Sequence, residues 1–132
     1  LGTFNDEAIE KADFTVSAQC FRVNVLDGHT CSVRMDLRKQ ATLEDVVKVI
    51  REYPSLELRS SPETFIEVTD EPARPQPRLD RDRGNGMAIT VGRIFPDNVF
   101  DYRFVCLSHN TVRGAAGSAI LNAELLIAQG LI

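Results

Sequence analysis

The C-terminal stretch constrains the fold most. After Ser108-His109-Asn110-Thr111 the chain reads as one helix running to about Gln129, with Gly130 placed as the residue that ends it. Val112, Ala115, Ala116, Ala119, Ile120, Leu121, Ala123, Leu125, Leu126 and Ile127 distribute apolar side chains almost all round that helix. A helix apolar on every side must be buried on most of them. The rest of a 132-residue chain offers little to bury it against. The mismatch implies partner structure beyond these residues.

Upstream, the pattern predicts strands more than helices. Asn5 is placed to cap a short helix over Asp6 to Ala12. From Phe14 to Val25, apolar and polar residues alternate for much of the way with recurrent β-branching, which predicts a strand. Leu26-Asp27-Gly28 is a turn, and His29 to Leu37 alternates again, so the two stretches are expected to form a hairpin. Thr42, with Asp45 three residues on, opens a helix whose apolar face is Leu43, Val46, Val47 and Ile50. Tyr53-Pro54 ends it. Phe65 to Val68 is extended. Pro72, Pro75 and Pro77, with Arg74, Arg78, Arg81 and Arg83 set among Asp80 and Asp82, make residues 71–83 a charged connection, either a solvated loop or an interface arm. Gly84-Asn85-Gly86 turns the chain into strands over Met87 to Phe95 and Tyr102 to Leu107, joined at Pro96-Asp97-Asn98. The class is α+β: a mixed, mostly antiparallel sheet with helices on one face, plus the C-terminal helix.

An apolar fraction of 43% and a charged fraction of 26% are those of a globular domain, and a formal charge of −4 argues against a nucleic-acid partner. No apolar run approaches the ~18 residues of a membrane span. Leu1-Gly2-Thr3-Phe4 has neither the basic region nor the apolar stretch of a signal peptide, and reads as a cut end. Cys20, Cys31 and Cys106 are odd in number without CxxC spacing, which favours reduced thiols and a cytoplasmic location. With His29 and His109 they form no zinc-ligand pattern.

Four places could carry chemistry. His29 follows a turn glycine that would let its imidazole face a cleft for acid–base work, or it is a surface histidine at a hairpin tip. Arg22 is the lone charge between Phe14 and Leu26. It could clamp a carboxylate through two hydrogen bonds, or simply face solvent. Cys31 shares a strand face with His29 and could be an activated thiolate, although a small buried core cysteine is the reading favoured for all three. Asn110 to Gly117 opens the last helix with small residues, which suits either close approach of an anion or cofactor or tight packing. No GxGxxG and no GxxxxGK[ST] occurs, so the chain has no nucleotide phosphate loop of those kinds.

Four segments in order carry a resemblance: Arg22-Val23-Asn24-Val25-Leu26-Asp27-Gly28-His29-Thr30, Arg74 to Asp82, Gly86-Met87-Ala88-Ile89-Thr90-Val91-Gly92-Arg93, and His109 to Gly117. Together they resemble aspartate-semialdehyde dehydrogenase, in its fungal and archaeal branch. The resemblance implies the reductive dephosphorylation of L-aspartyl 4-phosphate by NADPH to L-aspartate 4-semialdehyde, a step toward lysine, threonine, methionine and isoleucine. It implies His29 as the general acid and base, Arg22 as the substrate-carboxylate clamp, and Asn110 near the nicotinamide side of NADP. In the family the nucleophilic cysteine follows an asparagine and precedes a serine or threonine. Here Gln19-Cys20-Phe21, Thr30-Cys31-Ser32 and Val105-Cys106-Leu107 do not match.

The expectation is therefore part of that enzyme. Residues 1–108 would form a partial dimerisation and substrate domain. Residues 109–132 would form a helix packing on a nucleotide-binding domain outside the chain. Alone, the chain would be inactive and would bind no NADP, and it would pair through its sheet face into a homodimer or larger assembly. The alternative is a non-catalytic dimerisation module.

Overall fold

The computed structural model describes residues 2–5 and 8–132. A short antiparallel ribbon, β1 (Gly2–Phe4) with β2 (Ile9–Lys11), stands where the sequence predicts a helix. Asp6 and Glu7, its expected first turn, lie outside the described residues. Asn5 does cap, but it caps the turn of the ribbon: its Oδ1 accepts from Ala8 N–H at 3.0 Å and its Nδ2 donates to Glu10 at 3.0 Å. Asparagine favours such turns because its side chain reaches its own backbone a few residues on.

The main sheet has the order β3-β6-β5-β4. β3 (His29–Met35) pairs antiparallel with β6 (Tyr102–Ser108), β6 antiparallel with β5 (Ile89–Pro96), and β5 parallel with β4 (Ile66–Thr69). The expected α+β class, with a mixed, mostly antiparallel sheet, is what forms. Helix α1 (Leu43–Arg51) joins β3 to β4 and packs against β4 and β5, with Val46 its buried residue. Thr42 and Asp45 form the reciprocal cap: Asp45 N–H donates to Thr42 Oγ1 at 3.1 Å and Thr42 N–H to Asp45 Oδ2 at 3.0 Å.

Two sequence expectations fail here. The stretch Phe14 to Val25 is irregular and forms no ladder, and no hairpin joins it to β3. The alternation is real, but a strand requires a partner, and β3 takes β6 instead, leaving its other edge open. Phe21, Val23 and Leu26 are accordingly exposed. The thiols are the second failure: Cys20 and Cys31 are exposed and Cys106 is half-buried, so none is a core cysteine.

The charged connection is a folded arm. Its short helix α2 (Pro77–Asp80) starts on a proline, where the missing N–H costs nothing. The arm lies on β5 at Gly92, where a Cβ would meet Arg74 O and Thr69 Cγ2 at 2.7 Å. Asp80, 1% exposed, fastens it: the carboxylate accepts from Gln76 N–H at 2.7 Å and Arg74 Nε at 3.1 Å, and forms an ion pair with Arg83 Nε at 2.9 Å.

The last helix opens with one wide turn, Val112–Ala116, and continues as α3 (Gly117–Ala128), with Gly130 just beyond its end at φ +68°. A small core of Phe65, Met87 and Leu121 receives it. Glu124 fastens it further, accepting from Ser60 N–H and Oγ at 2.9 Å each. Yet within α3 only Leu121 is buried, while Ile120 and Ile127 are 56% and 62% exposed. The chain does not cover this helix. No described helix is long and apolar enough to cross a membrane.

Candidate functional site

The corner between Asp27 and Asn110 brings two of the three sequence-selected residues together. Gly28 is buried at φ +113°, a conformation that a side chain resists. A Cβ there would meet Pro77 Cβ at 3.3 Å and Leu107 Cδ1 at 3.5 Å, so α2 and β6 both press on this residue. Its N–H donates to Asn110 Oδ1 at 2.7 Å, across 82 positions of sequence. His29 follows at once, exposed, and stands opposite Ser108 in the β3–β6 register. The start of β3 and the opening of the last helix therefore form one corner.

His109 explains why Asn110 is free to reach across. It is 8% exposed, and its Nδ1 faces the N–H groups of Thr111 and Val112, each at 3.3 Å. Imidazole thus satisfies two of the open donors of the helix start, a task an asparagine or serine usually performs. An Nδ1 that accepts carries no proton, so the ring proton lies on Nε2, 3.8 Å from Asp82 Oδ1. The sequence reading assigns His109 no role beyond its place before the last helix. No signal in the sequence marks the capping role, because the capping position holds Thr111, an ordinary cap residue whose side chain makes no cap bond here. Among the described residues no cluster of three or more His, Cys, Asp or Glu could hold a metal ion.

Arg22 lies apart, exposed in the stretch that forms no ladder, and the structure does not tie it to the corner. A groove of about 470 Å³ runs between residues 59–63 and the start of the last helix, and its lining includes Asn85, Met87 and Val112 but not Arg22, His29 or Asn110. Arg113 turns inward and stacks 4.2 Å over the Phe65 ring, where burial pulls its pKa below the usual guanidinium value. It is a packing residue and not a free anion ligand.

The corner leaves one polar group and a row of small residues open to a ligand. Asn110 is only half-buried and uses its carbonyl oxygen on Gly28, which leaves its amide nitrogen to donate. Gly114, Ala115 and Ala116 are exposed and small, and a Cβ on Gly114 would meet nothing closer than His109 O at 3.5 Å. A ligand can approach that turn closely.

The profile of the semialdehyde dehydrogenase dimerisation domain matches residues 1–113. Over 132 residues the chain is 52% identical to an aspartate-semialdehyde dehydrogenase of Archaeoglobus fulgidus, covering 100% of this chain and 38% of that protein. It is 47% identical to the Candida albicans enzyme of the same name over 143 aligned positions, covering 100% of this chain and 39% of that one. The crystal structure of the Candida albicans enzyme with NADP superposes with a TM-score of 0.72 at 48% identity, over 84% of this chain and 33% of that one. A Vibrio cholerae aspartate-semialdehyde dehydrogenase II shares the fold at 24% identity and a TM-score of 0.63. The chain thus spans under two fifths of the length of these two curated relatives, and it belongs to the semialdehyde dehydrogenase family, as its dimerisation domain.

Proposed function

We propose that this chain is the substrate and dimerisation part of an NADP-dependent aspartate-semialdehyde dehydrogenase, acting on L-aspartyl 4-phosphate. The observation that carries the reading is the 2.7 Å hydrogen bond from Gly28 N–H to Asn110 Oδ1. It holds the proposed acid–base residue, His29, beside the helix opening proposed to face the cofactor. NADPH, when bound, supplies the hydride. His29 is exposed on an edge strand, so it can give a proton to the departing phosphate and exchange it with water. Arg22 takes the substrate carboxylate, which requires the Phe14–Val25 stretch to be ordered by a neighbour that brings the guanidinium toward the corner. Asn110 orients the nicotinamide side of NADP. The domain division follows: residues 1–108 hold the substrate groups, and residues 109–132 dock on a nucleotide-binding domain.

None of the three cysteines stands in the nucleophile's sequence context, so the chain alone is expected to show no turnover with aspartate semialdehyde, phosphate and NADP+. In the assembled enzyme, His29→Ala should lower kcat by about 10²–10⁴-fold with dimer mass unchanged. Arg22→Ala should mainly raise KM for the semialdehyde. Unchanged kinetics in both variants would leave the domain with assembly as its only role. That second reading, a non-catalytic dimerisation module, is favoured by one observation: the apolar surface left open on α3 and on Phe14 to Leu26. The free thiols fit a cytoplasmic location.

A further inference from the structure

Two of the three cysteines face each other across the sheet. In the antiparallel β3–β6 pair, Cys31 stands directly opposite Cys106, two residues along from His29 opposite Ser108. Directly opposed residues have Cα atoms about 4.5 or 5.5 Å apart, depending on which of the two alternating sites they occupy. A disulfide spans Cα separations of about 4.4–6.8 Å, so either site is within its reach. Opposed side chains also leave the sheet on the same face. The two thiols differ in access: Cys31 is exposed and Cys106 half-buried. Burial, and then the neighbouring Cys31 thiol, push the Cys106 pKa up to about 11. Cys106 therefore waits as a thiol while Cys31 meets solvent.

We propose that Cys31 and Cys106 form a reversible thiol–disulfide switch, closed by exchange with a soluble low-molecular-weight disulfide. The Cys31 thiolate attacks one sulfur of the reagent, whose S–S bond breaks, and the first reagent thiolate departs. Cys106 then loses its proton to water and attacks Cys31 Sγ, expelling the second reagent thiolate. Two protein thiols are oxidised by two electrons, and one soluble disulfide is reduced to two thiols. The consequence follows from topology. β3 is an edge strand held to the sheet by β6 alone, and it carries His29 at its start. The bond makes that single pairing covalent and pins the His29 corner. An effect on turnover rests on the reading of His29 given above, whereas formation of the bond does not.

The test uses this chain with Cys20→Ser, which removes the third, exposed thiol, and an aromatic disulfide whose released thiolate is coloured. The expected result is two released thiolates per chain, with a product that retains no reagent and is lighter by two hydrogen atoms. Peptide mapping should give one linked pair, Cys31 with Cys106. In the added variant Cys106→Ser, one thiolate is released and the reagent stays on Cys31. With the mixed disulfide formed first at low pH, the second release should quicken about tenfold per pH unit between pH 7 and 9, since only the Cys106 thiolate attacks. Reagent retained on both cysteines, a link between two chains, or a second release indifferent to pH would each overturn the proposal. In the assembled enzyme, a linked pair with unchanged turnover would keep the switch and overturn only the role of His29.

Discussion

At the residue scale, the member that most of the site leans on is one the sequence hides in a charge run. Asp80 looks like one of several alternating charges between Arg74 and Arg83, yet its carboxylate is almost wholly buried and holds the arm whose Pro77 presses on Gly28. Burial alone would raise its pKa, but the Arg74 hydrogen bond, the Gln76 N–H and the Arg83 charge outweigh it and hold the group below the ordinary carboxylate value. A carboxyl depressed on folding stabilises fully above its unfolded pKa of about 3.9, and the contribution fades as pH falls through the lower folded value. Asp80→Asn should therefore cost about 2–3 kcal/mol at pH 7 by urea unfolding. That is below the ~3–5 expected for a fully buried pair, because both arginines keep some solvent contact. The variant should also lose part of the acid sensitivity below pH 4. Parallel stability–pH curves for the two proteins would contradict this account. Gly28 is the second case. Gly28→Ala forces a Cβ against Pro77 at φ +113° and should cost about 1–3 kcal/mol, read as a lower urea midpoint at unchanged slope.

At the element scale, local patterns succeed where an element can satisfy itself and fail where it needs a neighbour. Helix α1 carries its own cap and its own apolar stripe, so Thr42, Asp45, Val46 and Ile50 announce it. β5 and β6 are equally plain from alternation and the turn between them. The Phe14–Val25 stretch has the same alternation but no strand beside it. The Asn5 region shows the reverse error: the cap residue was right and the structure it caps was not, since asparagine serves a ribbon turn as readily as a helix start. The last helix is predicted by its sequence and formed, but it is anchored mainly by Leu121 and Glu124. Amide exchange in the isolated chain should be fast from Ala115 to Ile127, where little apolar burial resists local opening. Strong protection in a monomer would show that the helix needs no further cover.

At the scale of the whole molecule, surface area states the same imbalance. The chain exposes 10126 Å², against about 6,900 Å² for a typical folded monomer of its 14.7 kDa mass. The excess on this one chain is above the roughly 1,000–2,500 Å² that each partner of an obligate interface buries, which leaves room for more than one contact. Sedimentation should accordingly show association that grows with concentration, and Phe21→Asp with Val23→Asp should weaken it at least tenfold if the open stretch beside β3 is the contact. A monomer across the accessible concentration range would assign that surface to a partner other than a second copy.

Helix α1, the strands β3, β4, β5 and β6, and the motifs around His29 and Asn110 were determined by the sequence, because capping, alternation and turn chemistry act between residues a few positions apart. The pairing of β3 with β6, the burial of Asp80, the capping by His109, the bond from Gly28 to Asn110 and the meeting of Cys31 with Cys106 were decided by the tertiary structure. Each joins groups whose encounter depends on strand order or on how the arm packs, and neither leaves a periodic trace in the chain.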